Sequence, residues 1–476
     1  MVQTGKIISG TVMIDKPDSN ANDNKPVRGG AQDIFYSPSN DFPRPTIVKG
    51  LGINLWDDQG ACYIDVSSGP VTCNIGHSNP RVLQAMTSQA EKLCFSFTSS
   101  ARNLPNIALA DQITSLAGKG FERALFVSGG SLAVDMAIKF CRQYRYATGE
   151  KKRVKLISCQ PSYHGMTLGC LAVSGDPVFE DIFAEMLNIS AKVEPVMSYR
   201  RPDGLSEEDY AKNCALELEQ QINQLGSDTV LSFIVEPVGG SSTGAIAPPE
   251  IYFREVRRIC DQYGVFLIYD EIMSGAGRTG TFLTHQQWTD ATPDIVVLAK
   301  GLGAGYMPLG AMLTSATLVD KLAELTGFNY AHTYNANPLA CAVGTAVLKE
   351  IGEKELLKNC RLMGTYLREK LVELQQHSQI IGDVRGRGLL LAIELVCCKE
   401  TKKMFPLDIQ VTELFKQQAL AEGLMIYGRR SNNGQYGEYV MITPPLNTTK
   451  EQIDKIMALL TRTLEKLQNK LITFDD

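Results

Sequence analysis

Short, almost continuously apolar runs, several closed by a charged residue, restrict what this chain can fold into. Residues 124–127 (ALFV), 155–158 (KLIS), 233–235 (FIV), 265–269 (VFLIY) and 294–299 (DIVVLA) are such runs. The third is followed by Glu236, the fourth by Asp270 and the fifth by Lys300. Strands without polar alternation predict a sheet covered on both faces, as in parallel α/β folds. Helical stretches lie between them, such as residues 251–262 (IYFREVRRICDQ), with Gly264 as the stop. The polar residues gather at strand ends, where open α/β sheets bind ligands.

At 476 residues the chain is too long for one core of usual size, so two domains or more are expected. Hydrophobic residues make up 44% and charged residues 21%, as in ordinary soluble globular proteins. Lys and Arg total 47 against 52 Asp and Glu, a formal charge of −5. That balance argues against a nucleic-acid surface, which needs a basic excess. The 12 cysteines form no Cys-x-x-Cys pair, and Cys397 and Cys398 are adjacent. The spacing suits no zinc site and predicts reduced core residues in a cytoplasmic protein. Residues 1–30 lack a sustained apolar core and carry the polar run 18–24 (DSNANDN), so a polar tail is expected rather than a signal peptide. No apolar stretch is long enough to span a bilayer.

Residues 52–65 predict a β-hairpin turning at Asp57-Asp58-Gln59-Gly60. Long helical segments are expected around residues 342–376. Residues 384–396 alternate less clearly, and a last helix is expected over 450–470, with Thr448 and Glu451 as its capping box.

Two charged strand-end residues carry the sharpest chemical signal. An Asp270 carboxylate after five apolar residues is costly to bury unpaired, so it is either a turn cap or a fixed anion for a cationic ligand atom. Lys300 ends an apolar run and is followed by Gly301-Leu302-Gly303-Ala304-Gly305. Burial lowers a lysine pKa and frees the neutral amine for Schiff-base chemistry, while the competing reading is a lysine that reaches solvent. Ser128-Gly129-Gly130-Ser131 joins a strand to a helix and offers free N–H groups to a phosphate. Tyr163 precedes His164-Gly165 and can stack on a flat ring or simply pack. Arg385 and Arg387, in RGRG, can present a guanidinium to a carboxylate or sit on a solvated turn. Residues 275–280 (GAGRTG) match G-x-G-x-x-G, but an extended segment rather than a helix follows, which disfavours a dinucleotide site.

In order and spacing these segments resemble the class III aminotransferases, fold-type I enzymes dependent on pyridoxal 5′-phosphate (PLP). The resemblance runs from about Ile34 to the C-terminus. It rests on Gly76-His77-Ser78-Asn79-Pro80, Ser128-Gly129-Gly130-Ser131, Tyr163-His164-Gly165, Glu236-Pro237 and Asp270-Glu271-Ile272, then Gly277-Arg278-Thr279-Gly280, Lys300-Gly301-Leu302, Thr333-Tyr334, residues 385–389 (RGRGL) and Pro444-Pro445-Leu446. It implies an α/β fold with a large domain, whose mostly parallel central sheet is flanked by helices, and a smaller α+β domain from the two chain ends. The boundaries expected are a tail over 1–30, small-domain segments over 31–80 and 346–476, and a large PLP-binding domain over 81–345.

The resemblance also implies roles. Lys300 would bind PLP as a Schiff base and then move the substrate proton. Asp270 would keep the pyridine nitrogen protonated. Gly130 and Ser131 would hold the phosphate, Tyr163 would stack on the ring, and His164, Glu236 and Met273 would complete the cofactor site. Thr333 would reach the phosphate of a neighbouring subunit, making the enzyme a homodimer or a tetramer of such dimers. Arg385 would bind the substrate carboxylate, with Arg429 and Arg430 in the region of a mobile arginine. Three positions depart from the family pattern: Leu132 replaces a glutamate, Met273 a glutamine found in many glutamate-linked members, and Ala276 a larger residue. Pocket shape is expected from loops near Phe35 and Tyr36, Ser67 and Ser68, and residues 95–100.

The expected reaction is transfer of nitrogen from a primary amine or ω-amino acid to an α-keto acid, with pyruvate favoured by Met273. The alternatives are a 2-oxoglutarate-linked enzyme, an aminomutase, a decarboxylating relative, or an NAD-dependent oxidoreductase built on residues 275–280.

Overall fold

A computed structural model describes residues 44–472. The tail expected over residues 1–30 and the loop at Phe35 and Tyr36 lie outside the described residues. Seven strands form the central sheet, in the order Arg123–Val127, Gly310–Thr314, Ile295–Leu298, Phe266–Asp270, Val230–Val235, Lys155–Cys159 and Ala191–Val193. Only Gly310–Thr314 pairs antiparallel, with both its neighbours. Every residue of Val230–Val235, Phe266–Asp270 and Ile295–Leu298 is buried, which is why no alternation shows in the sequence. Ile234, Ile268 and Val297 pack on one face with Ala133, Ala137 and Phe140 of the helix Gly130–Ala147. Phe233, Leu267 and Val296 face the larger core on the other side. The helix Glu250–Tyr263 joins that core and stops at Gly264, whose φ of 61° is left-handed, as the sequence predicts.

Two four-stranded sheets make the smaller part. The hairpin Asn54–Asp57 and Cys62–Asp65 turns where expected, because Asp57 Oδ1 accepts the N–H groups of Gln59 at 3.0 Å and Ala61 at 2.8 Å. Leu424–Met425 adds to Cys62–Asp65 in parallel, bringing distant chain segments into one sheet. The second sheet runs Ile381–Arg387, Leu390–Leu395, Glu438–Ile442 and Tyr427–Arg430, all antiparallel. Residues 384–396 thus fall in a hairpin closed at Gly388, at a φ of 56°.

Several boundaries differ from the sequence reading. The helical stretch around 342–376 is two helices, Pro338–Glu353 and Leu356–His377, parted where Glu355 adopts a φ of 50°. The capping box of the last helix, Lys450–Ile472, uses the next residue along. Thr449 Oγ1 accepts the Gln452 N–H at 3.3 Å and Gln452 Oε1 accepts the Thr449 N–H at 2.9 Å. Thr448 instead donates to the Pro445 carbonyl at 2.7 Å. Seven of the twelve cysteines are buried, but Cys62, Cys94 and Cys397 are exposed, against the expectation of core residues throughout; all twelve are free thiols. No described helix is long and apolar enough to cross a membrane.

The glycine-rich segment 275–280 opens no helix. Gly277 and Gly280 turn the chain at φ values of 94° and 97° and place Arg278 wholly inside the protein. Its guanidinium donates to the carbonyls of Leu389, Thr443 and Pro444 and to Asn74 Oδ1, at 2.5–3.3 Å. Burial pulls its pKa down to about 10. One side chain therefore ties the large sheet's loops to both ends of the smaller part. Replacing it strands three buried acceptors, since the Thr443 carbonyl keeps the Ser68 hydroxyl at 2.8 Å. Arg278→Met is expected to lower the free energy of urea unfolding by about 3 kcal/mol or more, at about 1 kcal/mol for each acceptor left unmatched. A loss below about 1 kcal/mol would refute this role.

Candidate active site

The carboxyl ends of five strands converge on one cavity of about 300 Å³. Residues 128–131 follow Arg123–Val127, Tyr163 and His164 follow Lys155–Cys159, and Glu236 follows Val230–Val235. Asp270 ends its own strand, and Lys300 comes two residues after Ile295–Leu298. Pro308 and Leu309 arrive from the reversed strand. Gly130, Ser131, Tyr163, His164, Glu236, Asp270, Met273 and Lys300, eight residues singled out in the sequence, all line this one space.

Asp270 pairs with Val297 across adjacent parallel strands, which sets it beside the approach to Lys300. Its carboxylate is buried, accepts the Ile272 N–H at 3.0 Å and meets His164 Nδ1 at 2.7 Å. His164 thus acts on Asp270, and its buried Nε2 has no partner. Lys300 holds a φ of 39°, a left-handed backbone that a lysine rarely adopts. Burial lowers its amine pKa, against the opposing charges of Asp270 and Glu236. Its ammonium makes no hydrogen bond or ion pair among the described residues.

The helix Gly130–Ala147 opens into the cavity with no acidic residue in its first turn and no side-chain cap. A Cβ on Gly129 would meet nothing within 4 Å, so the turn forms an open cradle. At Gly130 a Cβ would come within 2.9 Å of Ile272 Cδ1, so a larger residue would have to move the end of that side chain. Ile272, Ser241 and Thr72 also line the cavity and were not singled out as site residues. Ile272 had a signal, being part of the Asp270-Glu271-Ile272 landmark; Ser241 and Thr72 had none. These features fit PLP: an amine without a partner for its aldehyde, an anion for its ring nitrogen, a half-buried tyrosine beside it and an uncapped helix end for its phosphate.

Two of the three arginines expected at the substrate are held elsewhere by the fold. Arg385 does not line this cavity. Its Nε donates to the Gly244 carbonyl at 2.6 Å and its terminal nitrogens to Thr243 O, Asp383 and Glu394, so its donors are taken by the fold. Arg430 is likewise turned away, bonded to Glu438 and to the carbonyls of Phe405 and Pro406. Arg429, its neighbour on Tyr427–Arg430, points to the opposite face. It pairs with Asp176 and acts electrostatically on Tyr163 and Tyr427. Thr333 is exposed and lies outside the cavity of its own chain.

Glu236 accepts N–H groups from Gly240 at 2.9 Å and Tyr163 at 3.3 Å. Burial pushes its pKa up to about 7 from 4.5, against the pull of His164. The folded state therefore binds the extra proton between these values, and stability from this group falls as pH rises through that window. Between pH 4.5 and 8 the cofactor-free wild type should lose about 3 kcal/mol relative to Glu236→Gln, measured by urea unfolding. Parallel pH profiles for the two proteins would contradict the assignment.

The aminotransferase class-III family model matches residues 35–464. An uncharacterized aminotransferase of Schizosaccharomyces pombe is 35% identical over 90% of this chain and 94% of its own length. A diaminobutyrate–2-oxoglutarate transaminase of Halomonas elongata is 32% identical, over 90% and 92%. The solved PLP-bound amine transaminase of an uncultivated Pseudomonas species superposes with a TM-score of 0.85 at 31% identity, covering 94% of this chain and 99% of that one. The family is PLP-dependent and the neighbours share fold-type I, as the central sheet and the smaller sheets here do. The chain belongs to the class III aminotransferases and is a PLP-dependent transaminase.

Proposed function

We propose that the enzyme transfers nitrogen from a primary amine or ω-amino acid to pyruvate, with PLP on Lys300. The observation that carries this reading is the buried, unpartnered Lys300 amine beside Asp270. When bound, PLP supplies an aldehyde for the amine and a ring that accepts electrons from the substrate C–H bond. Lys300 Nζ, whose charged form is disfavoured by burial, takes the proton from the substrate carbon and returns it one position along. Asp270 would keep a proton on the pyridine nitrogen, and His164 fixes the direction of that carboxylate. Tyr163 would cover the ring, and the N–H groups of Gly130 and Ser131 would hold the phosphate. Thr333, on the exterior of its own chain, completes the phosphate site of the partner in a homodimer.

Pyruvate is favoured by charge. Lys300 is the only lysine or arginine lining the cavity among the described residues, and Met273 adds an apolar wall. Arg429 is the one nearby guanidinium placed to swing in, once it leaves Asp176. One carboxylate asks for one cation; 2-oxoglutarate brings two. The second reading, a 2-oxoglutarate acceptor, is favoured by the Halomonas relative, a diaminobutyrate–2-oxoglutarate transaminase.

Lys300→Ala should reduce turnover to background with any amine. Arg429→Ala should raise KM for pyruvate about tenfold, the effect of roughly 1.4 kcal/mol, and leave the half-reaction with an uncharged amine unchanged. A wild-type enzyme that turns over with 2-oxoglutarate and not with pyruvate overturns the acceptor assignment.

A further inference from the structure

A second cavity, of about 620 Å³, opens beside the strand Ile381–Arg387 and shares no lining residue with the Lys300 pocket. Six cationic side chains line it, Arg200, Arg201, Arg368, Arg385, Arg387 and Lys402, against Glu207, Asp383 and Glu394. That excess is unusual in a chain of net charge −5.

Three of these cations already serve the fold. Arg385 is held by Glu394, Asp383 and two carbonyls. Arg200 pairs with Glu394 and donates to the Lys402 carbonyl. Arg201 donates to the Leu205 and Ser198 carbonyls. The other three are different. Arg368, Arg387 and Lys402 make no ion pair within 4 Å among the described residues. The Lys402 ammonium rests 5.3 Å over the Tyr199 ring. Arg387 is half-buried, and its buried Nε has no partner. Arg368 repels it, while Glu250 and Glu207 attract it from beyond ion-pair distance. The buried Ser198 Oγ and Tyr199 hydroxyl on the same wall also lack partners.

The half-buried Arg387 guanidinium has no counter-ion and is repelled by the exposed Arg368 beside it, so an anion that reaches both would relieve the burial of one and the repulsion between the two. Both also line an adjoining cavity of about 310 Å³ with Arg361 and the hydroxyls of Thr279, Thr281 and Thr365. The volume is within the range of small-molecule sites and too large for a lone halide. We infer that this cavity binds a small polyanion bearing two or more phosphate or carboxylate groups, held by Arg387, Arg368 and Lys402.

The test is calorimetric titration of the PLP-loaded enzyme with pyrophosphate and, separately, with citrate, at constant ionic strength against a sodium chloride control. At least one should bind saturably with a Kd below about 1 mM, and the Arg368→Gln/Arg387→Gln double variant should bind it at least about tenfold more weakly. Binding of pyrophosphate alone identifies a phosphate ester as the ligand class; binding of citrate alone identifies a polycarboxylate. Should the double variant fail to fold, Lys402→Gln must weaken binding at least about threefold, roughly 0.6 kcal/mol. Absence of saturable binding by both anions, or unchanged affinity in the variants, overturns the proposal.

Discussion

A lysine amine next to a carboxylate, both at the carboxyl edge of a buried sheet, is the constraint on which the rest of the molecule depends. Burial disfavours charge on Lys300, and Asp270 and Glu236 oppose that effect without bonding to it. The outcome is an amine whose proton is easier to lose than a solvent-exposed lysine's and which has no bonded partner to hold it. It persists because adjacent parallel strands fix Asp270 against Val297 and because His164 leaves the Asp270 carboxylate one orientation. The left-handed backbone at Lys300 adds local strain that the packed strands on either side must hold.

The arginines divide by what surrounds them. Arg278, Arg385 and Arg430 meet carbonyls and buried carboxylates; the first two join the smaller sheets to the loops of the large one, and Arg430 bonds within the smaller part. Arg429 meets a single acid, Asp176, at the edge of the reactive pocket. A guanidinium with four fixed partners is a joint, whereas one with a single partner can exchange it for a substrate. Arg368 and Arg387 have no ion-pair partner among the described residues, and they stand together away from the chemistry. Charge placement, more than fold, therefore separates scaffold, substrate contact and second site.

The sheet was legible because its strands are apolar on both faces and end in residues that do not belong in a core. Lys300 and Asp270 were legible for the same reason. The glycine turn at residues 128–131 was correctly placed at a helix start, since a tight strand-to-helix turn needs small residues. What failed was partner choice. Nothing in RGRG reveals that Asp383 and Glu394 will meet Arg385, because Glu394 lies on the paired strand and only the hairpin register brings it there. His164 was visible as part of a motif, but its bond to Asp270 spans 106 residues. The capping box slipped by one residue because Thr448-Thr449 and Glu451-Gln452 offer two equally good registers. Residues 384–396 hid their strands because Leu390–Leu395 is buried throughout and shows no alternation.

The central claim is a covalent bond at one nitrogen. Cofactor-free protein mixed with PLP, reduced with borohydride and digested should carry the pyridoxyl phosphate group on the peptide containing Lys300. Lys300→Ala should carry none and should lose the visible absorption band seen before reduction. Label on another lysine, or equal labelling of wild type and variant, would contradict the account.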